Sequence, residues 1–285
     1  MAIDKIGVIG VGQMGSGIVQ VAAQAGFKVI ASDIDQTHNQ KALGGIQKSL
    51  EKLVAKEKLT AADKDKVLGN IQWTNNRADF ADCPLIIEAI VENVEAKEKL
   101  FRELDGICGP NTILATNTSS ISVTRLAAVT KRPGKVIGLH FFNPVPVMKL
   151  LEIIRAVQTE DAIYDQCKLV GEKLGKQVVT VKDSAAFIVN RTLLPFLNEA
   201  IFTLYEAIGT AKDIDNACKL GLNHPMGPLE LADFVGLDTV LAVLDVMYQE
   251  FGDPKYRACP MLRKYVEAGW LGRKTGRGFY DYSAK

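Results

Sequence analysis

Histidine is scarce in this chain: three residues, His38, His140 and His224, in a length of 285. Chemistry that needs an imidazole near neutral pH therefore has few places to sit. Cysteine is scarce too. The five (Cys83, Cys108, Cys167, Cys218 and Cys259) are scattered, odd in number, and never spaced as C-x-x-C. That argues against a disulfide framework and against a zinc or other metal site, and it suits reduced thiols in a cytoplasmic setting. A charge excess is also missing. The formal net charge is +1, which gives no global reason to expect a nucleic-acid or acidic partner. No apolar run reaches the roughly 18 residues needed to cross a membrane. Repeats and low-complexity tracts are absent, and strand-like sequence begins within a few residues of Met1, so no leader peptide is expected. What remains is an ordinary globular composition, 47% hydrophobic and 24% charged, in a chain long enough for two domains.

The chain organises itself around its first segment, residues 5 to 19. Ile6, Val8 and Ile9 read as a short buried strand, a glycine turn follows, and helix formers begin near Met14. The turn Gly10-Val11-Gly12-Gln13-Met14-Gly15 matches the pattern G-x-G-x-x-G. The first glycine permits the tight turn, the second lets a pyrophosphate approach the backbone, and the third lets helix pack closely on strand. The N–H groups at the helix start would meet the phosphates. The pattern alone is weak, but its context is specific. The next apolar run, Phe27 to Ala31, leads to Asp33, eighteen residues after Gly15, where an acid that binds the adenosine ribose is expected. A carboxylate there accepts from a 2′-hydroxyl and repels a 2′-phosphate, which favours NAD over NADP.

Further strands are expected at Ile71–Thr74, Leu85–Ile90, Thr112–Ala115, Lys135–Leu139, Leu150–Ile154 and Gln177–Val181, with helices at Ala42–Lys58, Ala61–Leu68, around Lys97 to Leu104, Val123–Val129 and Asp161–Leu174. This alternation makes an α/β, Rossmann-type, doubly wound and mostly parallel sheet over residues 1–184. The stretch of about 38–70 is an oversized helical excursion. From Lys41 to Lys66 it holds seven lysines against four acids. That excess is either a solvated helix face or a basic arm that meets a phosphorylated substrate. From residue 185 to 285 the periodicity is almost wholly helical, with Asp213 and Asp238 placed as helix-start acids. Such an all-helical domain has more apolar faces than it can cover, so self-association is expected there.

In an open α/β sheet ligands bind beyond the carboxyl ends of the strands. Asp33, Glu92, Asn117 to Ser120, His140 and Asn143 should therefore share one crevice. Of the three histidines only His140 is at a strand end; His38 is expected in a polar loop and His224 in a turn. Beside a nicotinamide, an imidazole suits alcohol oxidation as a general base. Glu152, in the run Leu-Leu-Glu-Ile-Ile on the next strand, could orient it and stabilise imidazolium. A carboxylate in such a run needs a partner, and Arg155 or a lysine is the alternative to His140.

Five stretches carry a family resemblance: Gly-Leu-His140-Phe-Phe-Asn-Pro-Val-Pro-Val-Met, Ala-Thr-Asn-Thr-Ser119-Ser, Phe-Ile-Val-Asn190-Arg, Pro-Met-Gly-Pro-Leu-Glu-Leu (225 to 231) and Gly-Arg-Lys-Thr-Gly-Arg-Gly-Phe-Tyr (272 to 280). In these the chain resembles the L-3-hydroxyacyl-CoA dehydrogenase family over essentially its whole length, and within it the bacterial 3-hydroxybutyryl-CoA enzymes. The resemblance implies NAD as cofactor, an acyl-CoA substrate, and a homodimer formed through the helical domain, with no nucleic acid or membrane partner. It implies that His140, Glu152, Ser119 and Asn190 form the catalytic set. Asp33, Glu92, Lys97, Ser119, Asn143 and Lys274 would join the glycine turn in binding NAD, and Ser49, Lys56 and Ser119 would contact CoA. Two relatives of this reading stay open, an NADPH-preferring enzyme and one acting on a dicarboxylyl-CoA such as 3-hydroxyadipyl-CoA. A third, from another class, is an NADH-binding sensor or structural protein with an idle dyad.

Overall fold

The computed structural model describes residues 3–283, so Met1 and Ala2, on which the leader expectation turns, lie outside the described residues. The chain divides after Ser184 into two compact units. The first is built on eight strands: β1 (Lys5–Ile9), β2 (Lys28–Ser32), β3 (Ile71–Thr74), β4 (Leu85–Glu88), β5 (Ile113–Thr116), β6 (Val136–Phe141), β7 (Leu150–Arg155) and β8 (Gln177–Lys182). They form one sheet in the order β3-β2-β1-β4-β5-β6-β7-β8. Neighbours pair in parallel except β6 and β7, which are antiparallel. Six parallel strands that turn outward in both directions from β1 make the Rossmann-type arrangement, and the switch point lies between β1 and β4. The helices are α1 (Gln13–Gln24), α2 (Gln36–Ala55), α3 (Ala61–Gly69), α4 (Val94–Ile107), α5 (Val123–Ala128) and α6 (Asp161–Lys173). Strands β1, β4 and β5 are buried on both faces, which is why they read as apolar runs without alternation.

Two boundaries differ from the periodicity in ways that matter for the site. Helix α2 starts at Gln36 rather than near Ala42, because Asp35 caps it by accepting from the His38 amide. His38 is thus a first-turn helix residue, not a loop residue, with its ring on the Asp35 carboxylate at 2.9 Å. The apolar stripe of α2 begins only at Ala42, after the buried but polar Asn39, so the pattern gave no sign of that first turn. Strand β6 runs on through Phe141 and takes His140 into the sheet, where it is 7% exposed.

The second unit holds α7 (Val189–Tyr205), α8 (Ala211–Gly221), α9 (Pro228–Val235), α10 (Leu237–Phe251) and α11 (Pro260–Glu267) around a core that includes Leu197, Ile201, Leu229, Leu244 and Leu262. Asp213 completes a reciprocal cap with Thr210 at the start of α8. Two of the quoted motifs are structural here. Asp233 is 1% exposed and accepts from the amides of Phe279 and Tyr280 and from the Tyr282 hydroxyl. A Cβ on Gly278 would lie 1.9 Å from its carboxylate oxygen, so glycine is required. Asp215, equally buried, accepts from the amides of Leu229 and Glu230 and the hydroxyl of Tyr280. The Pro-Met-Gly-Pro-Leu-Glu-Leu and Gly-Arg-Gly-Phe-Tyr stretches therefore wrap two buried aspartates.

Candidate active site

The glycine turn joins β1 to α1 under tight constraint. Gly10 has φ +88, and a Cβ there would meet the Ala89 carbonyl oxygen at 2.5 Å; one on Gly15 would meet the Gly10 oxygen at 1.7 Å. Both glycines are thus demanded by the protein itself. At Gly12 an added Cβ would meet no protein atom within 4 Å. Gly12 also caps α1 without any side-chain hydrogen bond, so the first-turn N–H groups face the crevice uncapped by the residue before them. Asp33, just beyond β2, accepts from the Val11 amide at 2.6 Å through one oxygen and from the Ile34 amide at 2.7 Å through the other. Each oxygen keeps a second lone pair for an outside donor.

At the ends of β4 and β5 lies a polar network that the sequence reading only half anticipated. Glu88, the last residue of β4, is fully buried. Its carboxylate accepts from Lys97 Nζ at 2.5 Å, from the Ile90 amide at 2.7 Å and from the Thr116 hydroxyl at 2.7 Å. Lys97, on α4 and 1% exposed, also lies 3.3 Å from Glu92. Glu92 in turn accepts from the Thr118 hydroxyl (2.5 Å) and from the amides of Ser119 (2.9 Å) and Ser120 (3.1 Å), with the Ser119 hydroxyl at 3.3 Å. Burial acts to raise the Glu92 carboxyl, but the Lys97 charge and the Thr118 and Ser119 donors outweigh it and hold it below its ordinary range. Glu92 and Ser119, expected together, are in direct contact. Lys97, expected at the cofactor, sits beneath the turn with its ammonium between two carboxylates.

His140 and Glu152 face each other across β6 and β7, directly opposite in the antiparallel register. The His140 Nδ1 to Glu152 Oε2 distance is 2.8 Å, and Glu152 is fully buried. A carboxylate only accepts, so Nδ1–H donates, and in a neutral ring the lone pair then lies on Nε2. The ring of Phe142 packs on the imidazole, with centroids 4.5 Å apart. Arg155, the rival partner for Glu152, points elsewhere and pairs with Asp161. Asn117 ties the two halves of the site: its side-chain oxygen accepts from the amide of Phe141, next to His140.

Asn143 is exposed on the segment after β6. That segment is held by a residue the sequence reading missed. Lys176, 8% exposed, donates to the carbonyls of Val145 (2.5 Å) and Met148 (2.7 Å), and burial lowers its pKa. The available signal was a lysine between the helical Gly175 turn and an edge strand, which is too common to point inward. Glu88 was also missed, although a lone acid in an apolar strand is the same signal that singled out Glu152. On the excursion, Ser49 is a half-buried residue of α2, and Lys56, seven residues on, is exposed at the C-cap of that helix. In the second unit Asn190 lies in the first turn of α7, and Lys274 pairs with both oxygens of Asp238 at 2.6 Å.

Residues 5–184 match the model of the 3-hydroxyacyl-CoA dehydrogenase NAD-binding domain, and residues 187–282 that of the 3-hydroxyacyl-CoA dehydrogenase C-terminal domain. The chain belongs to the 3-hydroxyacyl-CoA dehydrogenase family. The dehydrogenase is 54% identical over 280 residues to a 3-hydroxybutyryl-CoA dehydrogenase of Bradyrhizobium diazoefficiens, covering 98% of this chain and 96% of that protein. It is 49% identical over 279 residues to a 3-hydroxybutyryl-CoA dehydrogenase of Clostridioides difficile, covering 98% and 99%. Its structure superimposes on that of an (S)-3-hydroxybutyryl-CoA dehydrogenase from Ralstonia eutropha with a TM-score of 0.97 at 49% identity, covering 99% of this chain and 100% of the other. NAD is the cofactor of the dehydrogenase, as the matched domain indicates. The crevice fits it: an open face at Gly12, an uncapped helix start for the pyrophosphate, and an acid at the end of β2 for the ribose. No helix among the described residues is long and apolar enough to cross a membrane.

Proposed function

We propose that this dehydrogenase interconverts (S)-3-hydroxyacyl-CoA and 3-oxoacyl-CoA, with 3-hydroxybutyryl-CoA and acetoacetyl-CoA as its pair. The observation that carries this reading is the buried His140–Glu152 hydrogen bond at the end of the sheet where the cofactor crevice opens. The names of the close relatives support the chain length. Bound NAD supplies the hydride acceptor. His140 Nε2 takes the hydroxyl proton as hydride leaves C3 of the substrate, and in the reverse direction the imidazolium returns that proton to the ketone oxygen. Glu152 holds the ring in one tautomer and stabilises its charged form. The Ser119 hydroxyl, fixed by Glu92, places the reacting oxygen, because hydride transfer tolerates little misalignment; Asn190 has its catalytic role from the family resemblance. Ser49 and Lys56 contact CoA in this reading.

The dehydrogenase acts in this reading as a cytoplasmic homodimer joined through its helical unit. Support for the dimer comes from Ile208, which is 72% exposed and lines a groove of about 380 Å³ with Phe196 and Ile214, and from the exposed Leu220 and Leu222 of the same unit. The test of the function is NADH oxidation with acetoacetyl-CoA, followed by absorbance, for wild type and His140→Gln. Loss of most of kcat with NADH binding retained is expected. A wild type that binds NADH tightly without turnover would make the protein a sensor instead.

A further inference from the structure

We infer that Glu88 is a positioning residue: acting through Lys97, it fixes Glu92 beneath the turn that carries Ser119, an inference that rests on the reaction proposed above. The geometry makes Glu88 the root of the arrangement. Its carboxylate is fully buried and receives three donors from three different segments: Lys97 on α4, Thr116 at the end of β5, and the backbone at Ile90. Its carbonyl accepts from the Asn117 amide at 2.8 Å, so the same residue grips the start of the 117–120 turn through its main chain. Lys97 is a long, flexible side chain that could reach many places from α4. Glu88 removes that freedom and stations the ammonium 3.3 Å from Glu92. Glu92 is otherwise a side chain at an exposed strand end, and it gathers the Thr118 hydroxyl and the Ser119 and Ser120 amides around one oxygen.

The charges also point this way. Two carboxylates share one ammonium, so Lys97 serves Glu92 only if Glu88 holds it without neutralising it completely. A purely structural buried pair would not need the second carboxylate. Buried ion pairs can usually be replaced together by uncharged residues with little loss of fold. That separates structure from positioning, since Glu88→Gln/Lys97→Met keeps the fold but leaves Glu92 without its anchor.

The experiment compares wild type, Glu88→Gln, Lys97→Met and the double variant in three measurements: melting temperature, amide exchange of the peptide spanning 117–121 by mass spectrometry, and steady-state kinetics with acetoacetyl-CoA alongside NADH binding by fluorescence. For the double variant we expect a near wild-type melting temperature and faster exchange at Ser119 and Ser120. We also expect a fall in kcat of about tenfold or more, as loss of alignment at Ser119. The single variants should lose no less, and their effects should not add, as for residues acting as one unit. A folded double variant with wild-type exchange at 117–121 overturns the inference. So does wild-type kcat in that variant. If wild type itself fails to turn over acetoacetyl-CoA, the proposed reaction falls, and the exchange measurement decides on Glu88 alone.

Discussion

Replacing Glu152 by Gln isolates what the carboxylate charge does for His140. The two groups are 2.8 Å apart and almost wholly shielded from water, Glu152 at 0% and His140 at 7% exposure, so salt and solvent do little to weaken their interaction. For charge centres about 4 Å apart at an effective dielectric near 20, the attraction between imidazolium and carboxylate is roughly 4 kcal/mol. Glutamine keeps an oxygen that accepts from Nδ1–H, so the hydrogen bond and the tautomer survive while the charge term is lost. If half to all of that term acts in the transition state, the loss of about 2–4 kcal/mol corresponds to a fall in kcat of roughly 30- to 1000-fold. The fold should hardly notice, since a buried donor keeps its acceptor; about 1 kcal/mol of stability is at stake. The assay is initial-rate reduction of acetoacetyl-CoA with NADH, with NADH Kd measured separately. A drop confined to kcat, with Kd unchanged, is expected. Turnover within threefold of wild type would refute the role given to Glu152, and a parallel loss of NADH binding and melting temperature would show that the residue serves the fold.

Three further expectations follow from the geometry. Asp33 should make kcat/KM for NADH exceed that for NADPH by about 10- to 1000-fold, the range for a carboxylate facing an added charge at about 4 Å; Asp33→Ser should narrow the ratio, and an NADPH preference in wild type would contradict the assignment. Because the Glu92 carboxyl is held below its ordinary 4.5, its contribution to the 118–120 turn is complete above that value and is lost as pH falls through its lowered pKa. Amide exchange at Ser119 and Ser120, corrected for intrinsic rates, should therefore stay slow at pH 5 and accelerate only in stronger acid. Cys83, Cys108 and Cys167 are buried, with thiols pushed up to about 12, 11 and 12, and Cys259 is buried as well. Alkylation of the native protein at mildly alkaline pH should modify at most one thiol, Cys218, while all five react after unfolding.

Much of this architecture could be read from residue patterns because the patterns and the packing share one cause. Strand β3 falls at the strand-like segment Ile71–Thr74, and His140 and Glu152, each flanked by apolar residues in its strand, sit opposite one another in the β6–β7 register. The first turn of α2 escaped because a cap made by Asp35 leaves no apolar period to detect. Lys97 was placed at the cofactor by resemblance, but only coordinates reveal that its ammonium turns inward to Glu88. A helix residue four positions beyond a cap has no sequence mark that tells inward from outward when its side chain is long enough for either.

The glycine turn illustrates the same limit from the other side. Its three glycines look equivalent in sequence, yet they answer to different neighbours. Gly10 is fixed by the Ala89 carbonyl and Gly15 by the Gly10 carbonyl, so alanine at either position forces main chain against main chain. A Cβ on Gly12 would meet nothing within 4 Å beyond its own chain neighbours. Its requirement, if it has one, must come from what binds there, and that separates the two explanations experimentally. Gly15→Ala should lower the melting temperature with or without NADH, because a Cβ at 1.7 Å from an oxygen must displace the backbone. Gly12→Ala should leave the unliganded protein as stable as wild type and weaken NADH binding, so that the stabilisation normally conferred by added NADH shrinks. A Gly12→Ala protein that binds NADH as wild type does would mean that the pyrophosphate does not pass over this turn.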